Sequence, residues 1–355
     1  MKRLVLIGAG LAHLEVLRRL AMTPLPETEI ILITKDRQAV YAGMLPGVVA
    51  GHYAPAQMTV DAAGLARAAK VGFRQGAISG LDLARSEVIL DDATRLGFSI
   101  LSLNTGAWPR DIGLDRSLPV LKIKPAPAFV DALQDWEDQV SPGAPVGVVG
   151  GGAAGIELAL ALAHRWGDSR PAPILIERSG LRLDRIPAAA RRPLRRHLAR
   201  AGIAVHTAAT APHLALAINA AGAAPPDWLA QTGLARNTLG YLAIGPSLQV
   251  AGQDHIFASG DVASMADHPR AKAGVFAVRQ GPVLFANLQR ALAGEPLLAH
   301  RPQSDWLSLI GTGPKHAIAT RNGIALQGRW AWRIKDINDR SYLARYRALL
   351  EKDMP

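Results

Sequence analysis

The chain opens on an apolar run, Leu4-Val5-Leu6-Ile7, that breaks at Gly8-Ala9-Gly10. Leu11–Ala21 follows with apolar residues at helical spacing, and Glu29–Thr34 is a second apolar run. Short apolar runs bounded by turn residues read as buried strands, and a 3.6-residue period reads as a helix facing a core. Strand, glycine turn, helix and strand together make a βαβ unit. The pattern recurs at Val146–Gly150, Ala153–Trp166 and Pro173–Glu177. Pro24 and Pro26 follow the first helix, and Pro171 and Pro173 follow the second. The two units stand too far apart for a tandem repeat and suit two separate parallel-sheet domains. Pro142–Pro145 and Gly222–Pro226 read as loops.

Composition narrows the chemistry. The 355 residues are 49% hydrophobic, enough for two or three well-buried domains. There is no cysteine, which excludes disulfides, iron–sulfur clusters, cysteine zinc sites and a redox-active thiol pair. Met1-Lys2-Arg3 runs straight into a strand, so no signal peptide is expected and a cytoplasmic location is. The apolar stretch from Gly143 to Ala163 contains Glu157 and a glycine turn, and is not read as a membrane span. The formal charge of +11 is concentrated. Residues 182–200 hold seven Arg against one Asp, and residues 301–355 hold ten Lys and Arg against five Asp and Glu. Such patches attract anionic partners. No nucleic-acid motif accompanies them, and no metal site is expected.

The second unit carries the stronger fingerprint, Gly150-Gly151-Gly152-Ala153-Ala154-Gly155. Gly150, Gly152 and Gly155 fit G-x-G-x-x-G between a strand and a helix. The first glycine allows the tight turn, the second lets backbone approach a pyrophosphate, and the third lets the helix pack close. Glu177 lies about 20 residues on, at the next strand's end, where a carboxylate binds the ribose 2′-hydroxyl of NAD(H). In the first unit, Gly8 and Gly10 are followed by His13 where the third glycine belongs, and Lys35 occupies the acid's position. His13 reads as a packing residue at the helix start rather than a catalyst. A third element, His255–Ala263, is a short apolar strand ending in Gly260-Asp261. By itself Gly-Asp is only a turn.

The order of these three motifs resembles the pyridine nucleotide–disulfide oxidoreductase superfamily. The resemblance implies an α/β fold of two Rossmann-like three-layer dinucleotide-binding domains, for FAD and NAD(P), with a small C-terminal module. It places the FAD domain in residues 1–110 and 236–300, the NAD(P) domain in 111–235 and the module in 301–355. It implies that Asp261 binds the FAD ribityl chain. Thr105-Gly106 resembles the crossover into the NAD domain, and the segment around Gly222 the crossover back. Tyr41–Gly47 and Lys272–Pro282 are similar to a group found alone or fused ahead of selenophosphate synthetase, and to type II NADH dehydrogenases. In the latter, the equivalents of Gln280-Gly281 lie by the flavin and quinone. Glu157 resembles a residue near the nicotinamide.

The resemblance implies FAD and NAD(H) as cofactors, with NADP(H) disfavoured by Glu177 and favoured by Arg178 beside it. Without cysteine, electrons must pass from NADH through FAD directly to a small acceptor such as a quinone. A redox partner in selenium metabolism and a non-enzymatic FAD/NAD sensor are the alternatives. No residue is nominated as general acid or base. In the tail, Tyr342, Leu343, Tyr346, Leu349 and Leu350 share one helical face amid arginines. That stripe is expected to pack on the chain's own core or a second subunit, giving a homodimer. The competing expectation is weak peripheral contact with the inner face of a membrane, beside the acceptor site.

Overall fold

The computed structural model describes residues 1–352 apart from 111–112, 114–116, 178–182, 184–185 and 208–209. Arg178 therefore lies outside the described residues.

Two five-stranded parallel sheets organise the chain. In the first, the order is Ile256–Ala258, Ile100–Leu103, Lys2–Ile7, Thr28–Thr34, Gly72–Gln75. Leu4, Val5 and Leu6 of its central strand are all fully buried. Parallel strands are covered on both faces, so they read as continuous apolar runs rather than alternating ones. The helix Leu11–Met22 buries Leu14, Leu17 and Leu20 and packs along the 20-residue helix Gly274–Ala293. Glu15 lies within this packing and is held by Arg18 and Arg19, each at 2.8 Å.

The second sheet has the order Val120–Lys122, Leu216–Asn219, Val146–Val149, Ile174–Ile176, Val205–His206. It falls wholly between two strands of the first sheet, so the chain crosses over twice. The crossovers run side by side: Trp108 and Ala224 exchange backbone hydrogen bonds of 2.8 and 2.7 Å. In both sheets a glycine turn leaves the C-terminal end of the strand from which order runs both ways. That is where ligands of open α/β sheets bind. The apolar run 143–163 divides into the strand Val146–Val149 and the helix Ala153–Trp166. Among the described residues no helix is long and apolar enough to cross a membrane.

After the second crossover and the helix Gly274–Ala293 come three antiparallel strands, Ser308–Gly311, Ala317–Arg321 and Ile324–Gly328, and a 24-residue helix, Arg329–Lys352. The expected apolar stripe of this helix faces inward: Tyr342, Leu343 and Tyr346 are 4%, 1% and 1% exposed. Arg347 fastens the helix by donating to the carbonyls of Ala56, Gln57 and Thr59. The stripe thus packs on the chain's own core and offers no face to lipid.

Candidate functional site

The first glycine turn closes around Asn104. Gly8 has φ +87°, and a Cβ there would lie 2.6 Å from the Asn104 carbonyl oxygen. A Cβ on Gly10 would strike the Asn104 side chain at 2.3 Å. Asn104 accepts from the His13 N–H at 3.2 Å and donates to Ser259 O at 2.7 Å, tying the helix start to the ends of two strands. His13 stands at the third glycine's place with its ring fully buried. Its Nδ1 lies 2.6 Å from the Gly8 carbonyl and Nε2 lies 2.8 Å from Ser102 Oγ. A carbonyl only accepts, so Nδ1 carries the hydrogen and Nε2 accepts from the serine hydroxyl. Burial, opposed by the Gly8 carbonyl, lowers the pKa to about 4, so the ring is neutral. His13 therefore fixes the turn's shape with its side chain turned into the protein.

Beside this turn lies the Gly-Asp turn. Gly260 has φ +69°, and its N–H donates to Gln280 Oε1 at 2.6 Å. Two ammonium groups attend Asp261. Lys124 Nζ is 3.9 Å from its carboxylate, and Lys272 Nζ, which donates to Ala263 O, lies 3.9 Å above the Tyr241 ring. Burial lowers the Lys272 pKa to about 8 against the attraction of Asp261. Thr105 Oγ1 and Ser259 Oγ are buried here without a hydrogen-bond partner. Gly106, at φ +71°, has nothing within 4 Å of a built Cβ. Lys35 is exposed after the second strand, and its carbonyl accepts from Gln75.

The second turn follows the expected geometry more closely. Gly150 has φ +124°, and a Cβ on Gly155 would lie 1.9 Å from Gly150 O. Glu177 sits at the neighbouring strand's end and accepts from the Gly151 N–H at 2.5 Å. A Cβ on Gly151 would meet that carboxylate at 2.7 Å, so a side chain there would have to displace Glu177 from its bond to the turn. Gly152 caps the helix with open space where its Cβ would be. Gly222, φ +55°, lies in the returning crossover against the Arg110 side chain.

A family model described as pyridine nucleotide-disulphide oxidoreductase matches residues 2–215, from the first strand to the edge of the second sheet's last strands. The chain belongs to this family. It is 24% identical over 345 residues to the NADH dehydrogenase-like protein YutJ of Bacillus subtilis, covering 89% of this chain and 91% of that one. It is 26% identical over 365 residues to the demethylphylloquinone reductase NdbB of Synechocystis sp., covering 92% and 88%. Among solved structures, the sulfide:quinone oxidoreductase of Aquifex aeolicus superposes with TM-score 0.78 at 16% identity, covering 98% and 92%. As a pyridine nucleotide-disulphide oxidoreductase the chain is an NADH dehydrogenase-like flavoprotein enzyme that uses FAD and NAD(H). Its residues fit these cofactors: Gly8, Gly10, Gly150 and Gly155 leave no room for a Cβ in the two turns, Gly152 keeps open space at the helix start, and Thr105 and Ser259 hold hydroxyls with no protein partner.

The C-terminal module meets Glu157, which the resemblance had singled out, and adds Lys335 and Asp339, which motif reading missed. Glu157, on the helix after the second turn, accepts from the Gly311 N–H at 2.7 Å. Burial raises its pKa, while Lys335 and the Gly311 N–H pull it back. Lys335 donates to Asp339 at 2.7 Å and to Gly43 O at 3.0 Å, with side-chain exposures of 14% for Lys335 and 6% for Asp339. Burial opposes its charge, but Asp339, Glu157 and Asp336 outweigh that and hold its pKa above the ordinary lysine value. Tyr41 donates to the other Asp339 oxygen at 3.0 Å. The Tyr41 ring lies 4.9 Å from Tyr342, and Tyr342 lies 5.2 Å from Tyr346. Tyr346 in turn lines a cleft of about 450 Å³ with Val278, Arg279, Val283 and His300. Gly281 faces the helix Leu11–Met22: a Cβ there would lie 2.7 Å from Glu15 Cβ.

Proposed function

We propose that the enzyme oxidises NADH at the second glycine turn and reduces a quinone directly, through FAD held by Gly8, Gly10, Thr105 and Asp261. FAD, when bound, supplies the two-electron relay between nicotinamide and acceptor. Glu177 and the glycines around it hold the NADH ribose and pyrophosphate, and Glu157 orders the region where the module meets that turn.

The observation that supports a quinone is the row Tyr346, Tyr342, Tyr41, Asp339, Lys335, Glu157. Reducing a quinone to a quinol consumes two electrons and two protons, whereas a one-electron metal carrier takes no proton. A row of proton-bearing side chains, joined partly by hydrogen bonds and partly by ring contacts and running inward from an open cleft, serves the first acceptor and is superfluous for the second. The cleft, on the flank of the helix that carries Gln280, is the acceptor's approach. The demethylphylloquinone reductase among the relatives agrees with that choice. The FAD-loaded enzyme is assayed with NADH and either a short-chain naphthoquinone or ferricyanide, which needs no proton. Lys335→Met is expected to lower quinone turnover about tenfold or more and to spare ferricyanide turnover. A wild type whose flavin is reduced by NADH but that reduces no quinone refutes the reading.

A further inference from the structure

The cleft beside the helix Gly274–Ala293 is apolar in its wall and cationic around it. Val278 and Val283 of that helix, with Tyr346, supply apolar surface. Arg279, Arg301 and Arg345 line the same space. All three are exposed and, among the described residues, none is paired with a carboxylate. Arg345 donates from Nε to the Tyr342 carbonyl at 3.1 Å and lies 4.4 Å over the Tyr342 ring, which leaves its two terminal nitrogens without a protein partner. The one carboxylate in the lining is Glu15, and Arg18 and Arg19 already hold it at 2.8 Å each. Three guanidinium groups therefore stand around the cleft with no anion to answer them.

Gln303 also lines the cleft, and both polar atoms of its amide are buried without a hydrogen-bond partner. An amide carries two donor hydrogens and an acceptor oxygen. Burying them unpaired costs stability that a leucine of similar shape would not lose. Gathering like charges around one cleft is likewise unfavourable to the empty protein. A single kind of occupant relieves both: a ligand with an anionic group for the arginines and an oxygen for the amide.

We propose that this cleft recognises an aromatic carboxylate, and that the enzyme's acceptor is a quinone bearing such an acid group. The planar guanidinium fork matches a carboxylate with two parallel hydrogen bonds. The flat body of the ligand covers Val278, Val283 and Tyr346, and the Gln303 amide turns toward the bound oxygen. The volume of about 450 Å³ lies in the range of small-molecule sites, roughly 300–1,000 Å³, and admits a two-ring compound. A polyphosphate would use the arginines and leave the apolar wall uncovered. A neutral quinone would cover the wall and leave the arginines unanswered. At turnover the acid group is unchanged: NADH supplies a hydride, one proton from solvent completes the quinol, and NAD leaves oxidised. That second half of the proposal rests on the reaction proposed above. Binding is measured with a compound that cannot be reduced, so the recognition and the reaction can fail separately.

The test is calorimetric titration of the full-length, FAD-loaded protein with naphthalene-2-carboxylate and with its neutral isostere, naphthalene-2-carboxamide. Wild type is expected to bind the carboxylate about tenfold or more tightly than the carboxamide, with the margin shrinking as salt screens the arginines. Arg279→Gln combined with Arg301→Gln should abolish the margin, with flavin content as the check on folding. Gln303→Leu should weaken the carboxylate about tenfold while melting at or above the wild-type temperature, because it removes an unpaired buried amide; a glutamine kept for the fold would lower the melting temperature instead. In turnover, naphthalene-2-carboxylate should compete with a neutral naphthoquinone. The recognition is overturned if the carboxylate binds no better than the carboxamide at low salt, if the double glutamine variant keeps the margin, or if Gln303→Leu melts lower and binds like wild type. Tight binding of the carboxylate without competition supports the site and overturns its use by the acceptor.

Discussion

Gly152→Ala separates what the second glycine turn does for the fold from what it does for the cofactor. Gly152 has φ −78° and ψ 176°, a conformation open to alanine, and its Cβ would meet nothing within 4 Å. The apo fold therefore has no reason to resist the substitution, and the loss of unfolded-chain freedom is expected to stabilise it by about 0.4–1 kcal/mol. The open space has another occupant when the enzyme works, the pyrophosphate of NADH at the helix N-terminus. A methyl group there displaces a charged ligand from one or two backbone N–H donors, each worth about 1.5–3 kcal/mol. NADH affinity should fall by about tenfold to a hundredfold or more, while FAD stays bound. The assay is anaerobic bleaching of the flavin absorbance against NADH concentration, alongside thermal unfolding. Gly155→Ala is the control of opposite kind, since its Cβ would lie 1.9 Å from Gly150 O and must force helix and strand apart. If Gly152→Ala binds NADH within about threefold of wild type and is equally stable, the turn does not hold the pyrophosphate.

Three further outcomes are expected. Asp261→Ala should purify with less than half the wild-type flavin, because a charge-assisted hydrogen bond of about 1.5–3 kcal/mol is lost; full occupancy by absorbance would exclude the ribityl assignment. Glu177→Ala should narrow the preference for NADH over NADPH, since the carboxylate that accepts from Gly151 N–H also repels a 2′-phosphate; a ratio of kcat/KM values equal to wild type would count against it. His13 makes the fold acid-sensitive: its folded pKa of about 4 lies below the unfolded value of 6.5, so stability is full above the unfolded value and falls as pH drops toward the folded one. That loss amounts to about 3 kcal/mol near pH 4, and His13→Gln should show a shallower decline in urea midpoint between pH 6.5 and 4.

Much of this was legible because it is local. Apolar runs marked the central strands of both sheets, and glycine spacing marked both turns, since the requirement for no Cβ falls on residues a few positions apart. The substitution of His13 for glycine was visible, but its solution was not: the ring reaches Ser102, on a strand adjacent in space but distant in sequence. Asn104 was passed over for the same reason, as one side chain joins residues 13, 104 and 259. Helical periodicity found one face of the C-terminal helix and assigned it two outcomes, core or membrane. Periodicity reports that a face is apolar, not what covers it, and here Arg347 and the Tyr41–Tyr342 contact decide for the core.

Lys335 shows how the two faces of that helix depend on one another. Its ammonium is held by Asp339, Gly43 and the charge of Glu157, groups contributed by three distant parts of the chain. A buried ammonium is tolerated only where carboxylates and carbonyls are fixed around it, and rotation of the helix would carry Lys335, with Asp339 beside it, away from Gly43 and Glu157. A rotation of half a turn would bury Trp330, Ile334 and Ile337 and carry Lys335 and Asp339 into water. The same rotation would expose Tyr342, Leu343 and Tyr346, so apolar burial opposes it as well. The hydrogen bonds of Lys335 to Gly43 O and of Tyr41 to Asp339, together with Arg347 on the carbonyls of residues 56, 57 and 59, resist it. The chain thus keeps Trp330, Ile334 and Ile337 outward by fastening the opposite face with hydrogen bonds, charge and apolar contacts.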